Sequence, residues 1–224
     1  MKNFTKGYWI GIVVGMITML LFLAILNPCN AQKFYSEISE KQYNRIVSGD
    51  LFYEGQVQLT DGNWYKGWIA RFPDSNKLRF RSEEDSMQIH LLTNKYVKSF
   101  AYDLNDTFPI FVFKEIPITK RRSETKAIEL LVAGDINLYI YKTVEKITYT
   151  NTWLQKKTEY QMLVEFYLEK DGELYYMEDF ERDLSYLIRD KEEFYDSYRK
   201  TRKNRRDRDY RDYINVVIAY NGTE

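Results

Sequence analysis

Apolar and polar residues alternate most regularly between Leu51 and Phe72. Tyr53, Gly55, Val57 and Leu59 alternate with Glu54, Gln56 and Gln58, and a period of two places the first set on one face of a strand. Thr60-Asp61-Gly62 supplies a turn that closes on a glycine, which takes a left-handed backbone without steric penalty. Closure there pairs Val57 with Tyr65, Gly55 with Gly67 and Tyr53 with Ile69. Gln58 then lies beside Trp64, and Glu54 beside Trp68, on the more polar face. A slip of one residue would turn every side chain over, so this register is well specified. Two glycines opposite each other predict a bend or the close approach of another backbone.

The alternation recurs along the chain. Leu78 and Phe80 between Lys77, Arg79 and Arg81 predict a third strand. Met87, Ile89 and Leu91 against Gln88 and His90 predict a fourth, with His90 on its polar face. Further strands are expected from Tyr96 to Tyr102, Ile110 to Ile116, Ile147 to Trp153 and Tyr160 to Leu168. Gly134-Asp135 between two apolar alternations, and Lys170-Asp171-Gly172 before Leu174 to Tyr176, mark two more hairpins. Ala127 to Val132 fits the start of a helix equally well. Near Glu178 the period changes from two to the helical one. Phe180, Leu184, Leu187 and Ile188 share a face. Asp190 and Glu193 make a capping-box-like start before Phe194 and Tyr198, and Tyr210, Tyr213, Ile214, Val217 and Ile218 precede a stop at Asn221-Gly222. Lys33 to Ser48 reads as one loosely amphipathic helix.

The pattern predicts an α+β chain, mainly β. Antiparallel strands form a roll, barrel or sandwich, with C-terminal helices and an N-terminal signal or anchor helix. The expected divisions are 1–31, signal peptide or uncleaved membrane anchor; 32–49, a short helical linker; 50–178, the antiparallel β domain; and 179–224, a helical segment packed on the sheet.

The N-terminus changes the picture most. Lys2 and Lys6 precede an uncharged apolar run from Tyr8 to Leu26, followed by Asn27-Pro28-Cys29-Asn30-Ala31-Gln32. Small residues at Cys29 and Ala31 suit a signal peptidase cutting between Ala31 and Gln32. The run is also just long enough to span a bilayer, so an uncleaved segment would hold the chain to the membrane through residues 1–26. A third reading has Cys29 lipidated. All three place the chain from Gln32 onward across the inner membrane: periplasmic, in the outer membrane, secreted or anchored to the inner membrane. Cys29 is the only cysteine, so the chain beyond it has no disulfide, thiol nucleophile or thiolate metal site.

The 224 residues carry 33 basic and 33 acidic side chains. Loss of Lys2 and Lys6 would leave the remainder slightly acidic, which gives no general attraction to nucleic acid or to anionic membranes. The 20 tyrosines suit half-buried sheet faces and binding surfaces alike.

The succession GQVQLTDGNWYKGWI, KLRF, YVKSFAY, ELLVAGDINLYIY, FYLEKDGELYYM and a helical tail ending in YN resembles a large group of secreted β-rich proteins of Bacteroidota without an established activity. The resemblance runs from Asp50 to Asn221. It implies export and this architecture, and no reaction. It also implies that Asp85-Ser86-Met87, in an exposed turn, is an O-glycosylation acceptor at Ser86. Members often carry a cysteine in the C-terminal helices; this chain has none there.

Candidate chemistry is sparse. His90 is the sole histidine and has no evident partner for base catalysis. Glu83-Glu84-Asp85 and Asp103/Asn105/Asp106 fall short of a full oxygen-ligand set for a cation. There is no phosphate-cradling glycine loop, nucleophile elbow or cofactor motif. These features name no catalytic, cofactor or metal residue and favour binding over catalysis. Trp64, Tyr65 and Trp68 on the hairpin are candidates for a partner surface, unless the C-terminal helices cover them. Arg202, Arg205 and Arg206, in a basic stretch interleaved with acids, either form a solvated face or meet lipid headgroups or an acidic partner. The expectation is an exported, non-enzymatic envelope protein with a binding or structural role toward an envelope protein, glycan or lipid headgroup. The alternative is an envelope glycan hydrolase whose paired carboxylates are brought together by the fold.

Overall fold

The computed structural model describes residues 34–72, 75–104, 106–119, 122–150, 155–177, 180–202 and 210–223. Eleven strands lie in one antiparallel sheet: β1 (Phe34–Glu37), β2 (Tyr53–Leu59), β3 (Trp64–Arg71), β4 (Lys77–Ser82), β5 (His90–Thr93), β6 (Val97–Tyr102), β7 (Ile110–Thr119), β8 (Arg122–Val132), β9 (Ile136–Thr150), β10 (Lys156–Lys170) and β11 (Glu173–Tyr176). Among the described residues four helices accompany it: α1 (Glu40–Ser48), α2 (Phe180–Leu187), α3 (Glu192–Arg202) and α4 (Tyr210–Asn221). The strand order is β1-β10-β9-β8-β7-β6-β2-β3-β4-β5, with β11 also on β10. The ends of this order do not pair, so of the roll, barrel or sandwich expected, the closed barrel is not formed.

The first hairpin has the register its pattern dictates. Val57 faces Tyr65, Gly55 faces Gly67 and Tyr53 faces Ile69. Gly62 takes φ +91° in the turn, and the Gly62 amide donates to the Leu59 carbonyl at 3.0 Å. Two expectations are corrected at the sheet's margins. Phe34–Glu37 is not helical: it is an edge strand paired with Gln161–Val164 of β10, and the helix begins only after Ser39. Ser39 caps it by accepting from the Gln42 amide at 3.2 Å, while the Gln42 side chain accepts from the Ser39 amide at 2.9 Å. The fourth strand carries the opposite phase. Pairing with β4 sets Leu92 opposite Leu78 and His90 opposite Phe80, so His90 and Leu92 turn to the core side. Met87, Ile89 and Leu91 are 93%, 49% and 57% exposed. The register of an edge strand is fixed by its single neighbour, and that neighbour overrides the apolar alternation.

Alternation persists for fifteen residues in each of β9 and β10, which pair from Ile136↔Lys170 to Thr150↔Lys156. The two expected strands, ending near Ile140 and restarting at Ile147, are therefore one. Its distal part carries Ile147 and Tyr149 among polar residues and is tied by Thr148–Thr158 at 3.2 Å and by Tyr149 donating to Glu159 at 2.6 Å. Cross-strand polar pairs carry the ribbon on across the stretch between the two expected strands. Trp153 lies outside the described residues.

The sheet is strongly curled. Between β3 and β9 lie β2, β6, β7 and β8, a span of about 24 Å in a flat sheet at about 4.8 Å per step. Yet an Arg71 nitrogen (Nη2) lies 3.5 Å from the Lys142 carbonyl. The concave face between them is lined on one side by Val57, Ile69, Leu78, Phe80, Phe100 and Phe111. On the other side Ile136, Leu138, Ile140, Phe166 and Leu168 pack under α2, α3 and α4 through Leu184, Ile188, Tyr198, Tyr213 and Val217. Tyr220 is buried there too, whereas Ile218 of the same helix is exposed.

Two polar anchors join helices to sheet. Lys170 donates to the Leu187 carbonyl at the end of α2 and to the Tyr220 hydroxyl, and pairs with Asp190 at 2.7 Å; a cation there complements the helix dipole. Asn221 accepts from the Ile136 amide at 3.0 Å and donates to the Ile136 and Ala133 carbonyls at 2.9 and 3.5 Å. Asn221→Ala is expected to lower stability by about 1–2 kcal/mol, because the Ile136 amide loses its acceptor. A urea midpoint unchanged from that of the parent protein would contradict this role.

Candidate functional site

A cleft of about 470 Å³ opens on the concave face beneath α1. The sequence builds it from four separate places. Gln42, Arg45, Ile46 and Gly49 recur at three- and four-residue spacing, so one stripe of α1 faces inward. Tyr53, Arg71 and Tyr102 come from β2, β3 and β6, and Lys142, Thr143, Val144 and Met162 from β9 and β10. Leu51 and Leu104 complete it.

α1 is fixed over the cleft at both ends. At its start, Tyr160 donates to Glu40 at 2.8 Å and its ring lies 4.9 Å from that of Tyr43. At its end Gly49 takes φ +60°, and a Cβ there would stand 2.7 Å from the Phe72 ring. Arg79 stacks on Phe72 at 4.8 Å and pairs with Asp50 at 3.1 Å.

The charge in the cleft is one-sided. Arg45, Arg71 and Lys142 line it, and among the described residues no carboxylate does. Lys142 pairs with Glu129 at 2.8 Å. Arg71 has no ion pair among the described residues. Its guanidinium lies 4.7 Å from the centre of the Phe111 ring, reaches the Lys142 carbonyl at the long distance given above, and hydrogen-bonds the Tyr102 hydroxyl. A guanidinium carries five N–H donors, so most of those of Arg71 remain available. Tyr53 and Tyr102 stack at 5.2 Å to form a flat wall beside it. Burial pushes the Tyr102 phenol above its ordinary range; the Arg71 charge and hydrogen bond oppose this, while Glu129 adds to it. Tyr102 is therefore a neutral donor at physiological pH. Ile46, Leu51, Leu104, Val144 and Met162 supply the apolar lining.

The residues singled out by sequence do not converge on this cleft. Trp64 and Trp68 occupy the other face of β3, which alternates away from Ile69 and Arg71. Trp64 is 52% exposed and Trp68 partly buried, while the C-terminal helices pack on β9 and β10 instead. Tyr65 is exposed but on the opposite face from the two tryptophans. Ser86 sits in an exposed turn. Arg202 ends α3. Arg205, Arg206, Ala31, Gln32 and the apolar run within residues 1–26 lie outside the described residues. Among the described residues no helix is long and apolar enough to cross a membrane. Asp103 accepts from the Asp106 amide at 3.1 Å in a local turn.

Arg71 left one legible mark: alternation through Tyr65, Gly67 and Ile69 puts its charge on the apolar face. Lys142 left the same mark after Leu138 and Ile140. Neither signal says that the two meet.

The chain matches no protein-family model, no curated protein sequence and no solved structure.

Proposed function

We propose that this is an exported cell-envelope protein that binds a small molecule in the cleft beneath α1, rather than an enzyme acting on envelope glycans. The leader-like segment from Lys2 to Gln32 supports export. The observation that carries binding is the cleft itself: largely apolar walls, with a few polar groups converging from α1, β3 and β9, the usual make-up of a small-molecule site. Glycoside hydrolysis needs two facing carboxylates, and none lines this cleft among the described residues. The outward Trp64 and Trp68 make a second contact surface, suited to a glycan or an envelope protein.

Native mass spectrometry of protein purified from the envelope of producing cells tests the assignment. A small molecule should remain bound, leave on denaturation, and be missing from a Val144→Trp variant whose cleft is filled. Retention of the same molecule by that variant, or a ligand-free parent protein, would refute it. Recovery of the unprocessed chain in the cytosol would refute export.

A further inference from the structure

Arg71 stands at the end of β3 with its side chain on the face that otherwise buries Ile69. An arginine turned toward an apolar face is held there only where something answers its charge and its donors. Stacking on Phe111 fixes the plane of the guanidinium, and the Lys142 carbonyl and the Tyr102 hydroxyl take part of its set of N–H donors. Glu129, whose charge reaches Tyr102 in the cleft wall, is engaged by Lys142 at 2.8 Å. Arg45 approaches from α1 with no ion pair among the described residues. Beyond this end, Tyr53 and Tyr102 give a stacked aromatic wall, and Val144, Met162, Ile46 and Leu51 line the space with hydrocarbon.

We propose that the cleft takes an amphiphilic anion: an acidic head held by Arg71, with Arg45 beside it, and a hydrocarbon body against Val144, Met162 and Ile46. This rests on the cleft being the binding site and names its ligand class. A planar fork of donors suits a carboxylate or a phosphate bidentately. Lys142, already neutralised by Glu129, shapes the head end without adding net charge. A neutral amphiphile of the same length would leave the Arg71 donors unpaired, so the head decides the preference. No bond is made or broken; this is equilibrium capture.

Titration calorimetry on the processed protein, stripped of bound material, tests this with three probes of equal chain length: decanoate, decyl phosphate and decanol. Decanoate or decyl phosphate should bind about ten- to hundredfold more tightly than decanol, the range for hydrogen bonds to a charged group. The better of the two identifies the head as carboxylate or phosphate. Arg71→Met should abolish the preference. Arg45→Gln replaces a solvent-exposed residue at the cleft rim, so the fold should stay intact, and it should weaken the acidic probes several-fold while sparing decanol. Equal binding of decanol, or an acid preference that survives both substitutions, overturns the proposal. So does failure of all three probes when mass spectrometry finds a retained neutral molecule. That last outcome removes the anionic ligand and leaves the cleft as the binding site, whereas a ligand-free parent protein removes both.

Discussion

Gly67→Ala is expected to destabilise the protein by about 3 kcal/mol, and Gly67→Val to prevent folding, the first at the upper end of overpacking costs and the second beyond it. A Cβ built on Gly67 would stand 2.0 Å from the Arg81 carbonyl oxygen of β4. That atom is backbone, so no rotamer change relieves the clash. β4 must move, and with it the pairs Gly67↔Ser82, Trp68↔Arg81 and Ile69↔Phe80. Ile69, Leu78 and Phe80, all buried in one cluster, would separate. Gly55, facing Gly67, is equally enclosed: its Cβ would stand 2.3 Å from the Ala101 carbonyl of β6. The two glycines therefore let three neighbouring pairings, β6–β2, β2–β3 and β3–β4, bend tightly at one level. Gly62 is the control. Its added Cβ meets nothing within 4 Å, but φ is +91°, so Gly62→Ala should cost only about 1–2 kcal/mol through backbone strain. Urea unfolding followed by circular dichroism ranks the three. A Gly67→Ala midpoint equal to that of the parent, or below which Gly62→Ala falls, would show that β4 yields more easily than the geometry requires.

The same glycines show what could be read from sequence. Alternation from Tyr53 to Ile69 specified a hairpin register that matches the observed one pair by pair, and facing glycines announced a close backbone approach. Local periodicity also located the C-terminal helices, because Leu184, Ile188, Tyr198, Tyr213 and Val217 all return to one core. It failed where a neighbour decides. Leu92, not Leu91, enters the core because β4 sets the register. Phe34–Glu37 is a strand only because β10 offers it an edge. β9 and β10 run on past their apolar stretches because cross-strand polar pairs support them. The cleft was not legible at all. Arg45, Arg71 and Lys142 are far apart in the chain, and they meet only because the sheet curls enough to bring β3 to β9. Trp64 and Trp68 drew attention because the register put them on the more polar face of the hairpin, and they stand on that face, away from the cleft. Gly55 and Gly67 admit close backbone approach on the strands that carry Tyr53 and Arg71, so the largest stability effect and the proposed site share one stretch of β2 and β3.

Glu169→Gln is expected to lower stability at neutral pH by about 3 kcal/mol, near the lower bound for breaking a buried pair because Lys114 keeps some contact with water. Glu169 of β10 gathers three donors from across the sheet. Lys114 of β7 pairs with it, the Tyr139 hydroxyl donates at 2.5 Å, and Asn137 Nδ2 donates at 3.2 Å. The Glu169 side chain is only 14% exposed. Burial pulls its carboxyl upward, but the hydrogen bonds from Lys114, Tyr139 and Asn137 together with the Lys114 charge outweigh that, and the net displacement is downward. Burial, reinforced by Glu169, raises the Tyr139 phenol far above its ordinary range, so this hydroxyl remains a donor at any pH the fold survives. A carboxylate depressed in the folded state contributes stability that is complete above its unfolded pKa and disappears as pH falls through the folded value. The parent protein should therefore lose stability on acidification from about pH 4.5 downward. Glu169→Gln, which has no proton to take up there, should show a flatter profile. The gap between the two should be widest near neutrality and close toward acid. Asp190, also displaced downward because its bonds to Lys170 and Tyr220 overcome burial, remains in both proteins and supplies a common background slope. Urea midpoints from neutral pH to pH 3 decide the matter. Parallel curves for parent and variant would mean that the Lys114–Glu169–Tyr139 cluster fills space in the curled sheet without its charge contributing to stability.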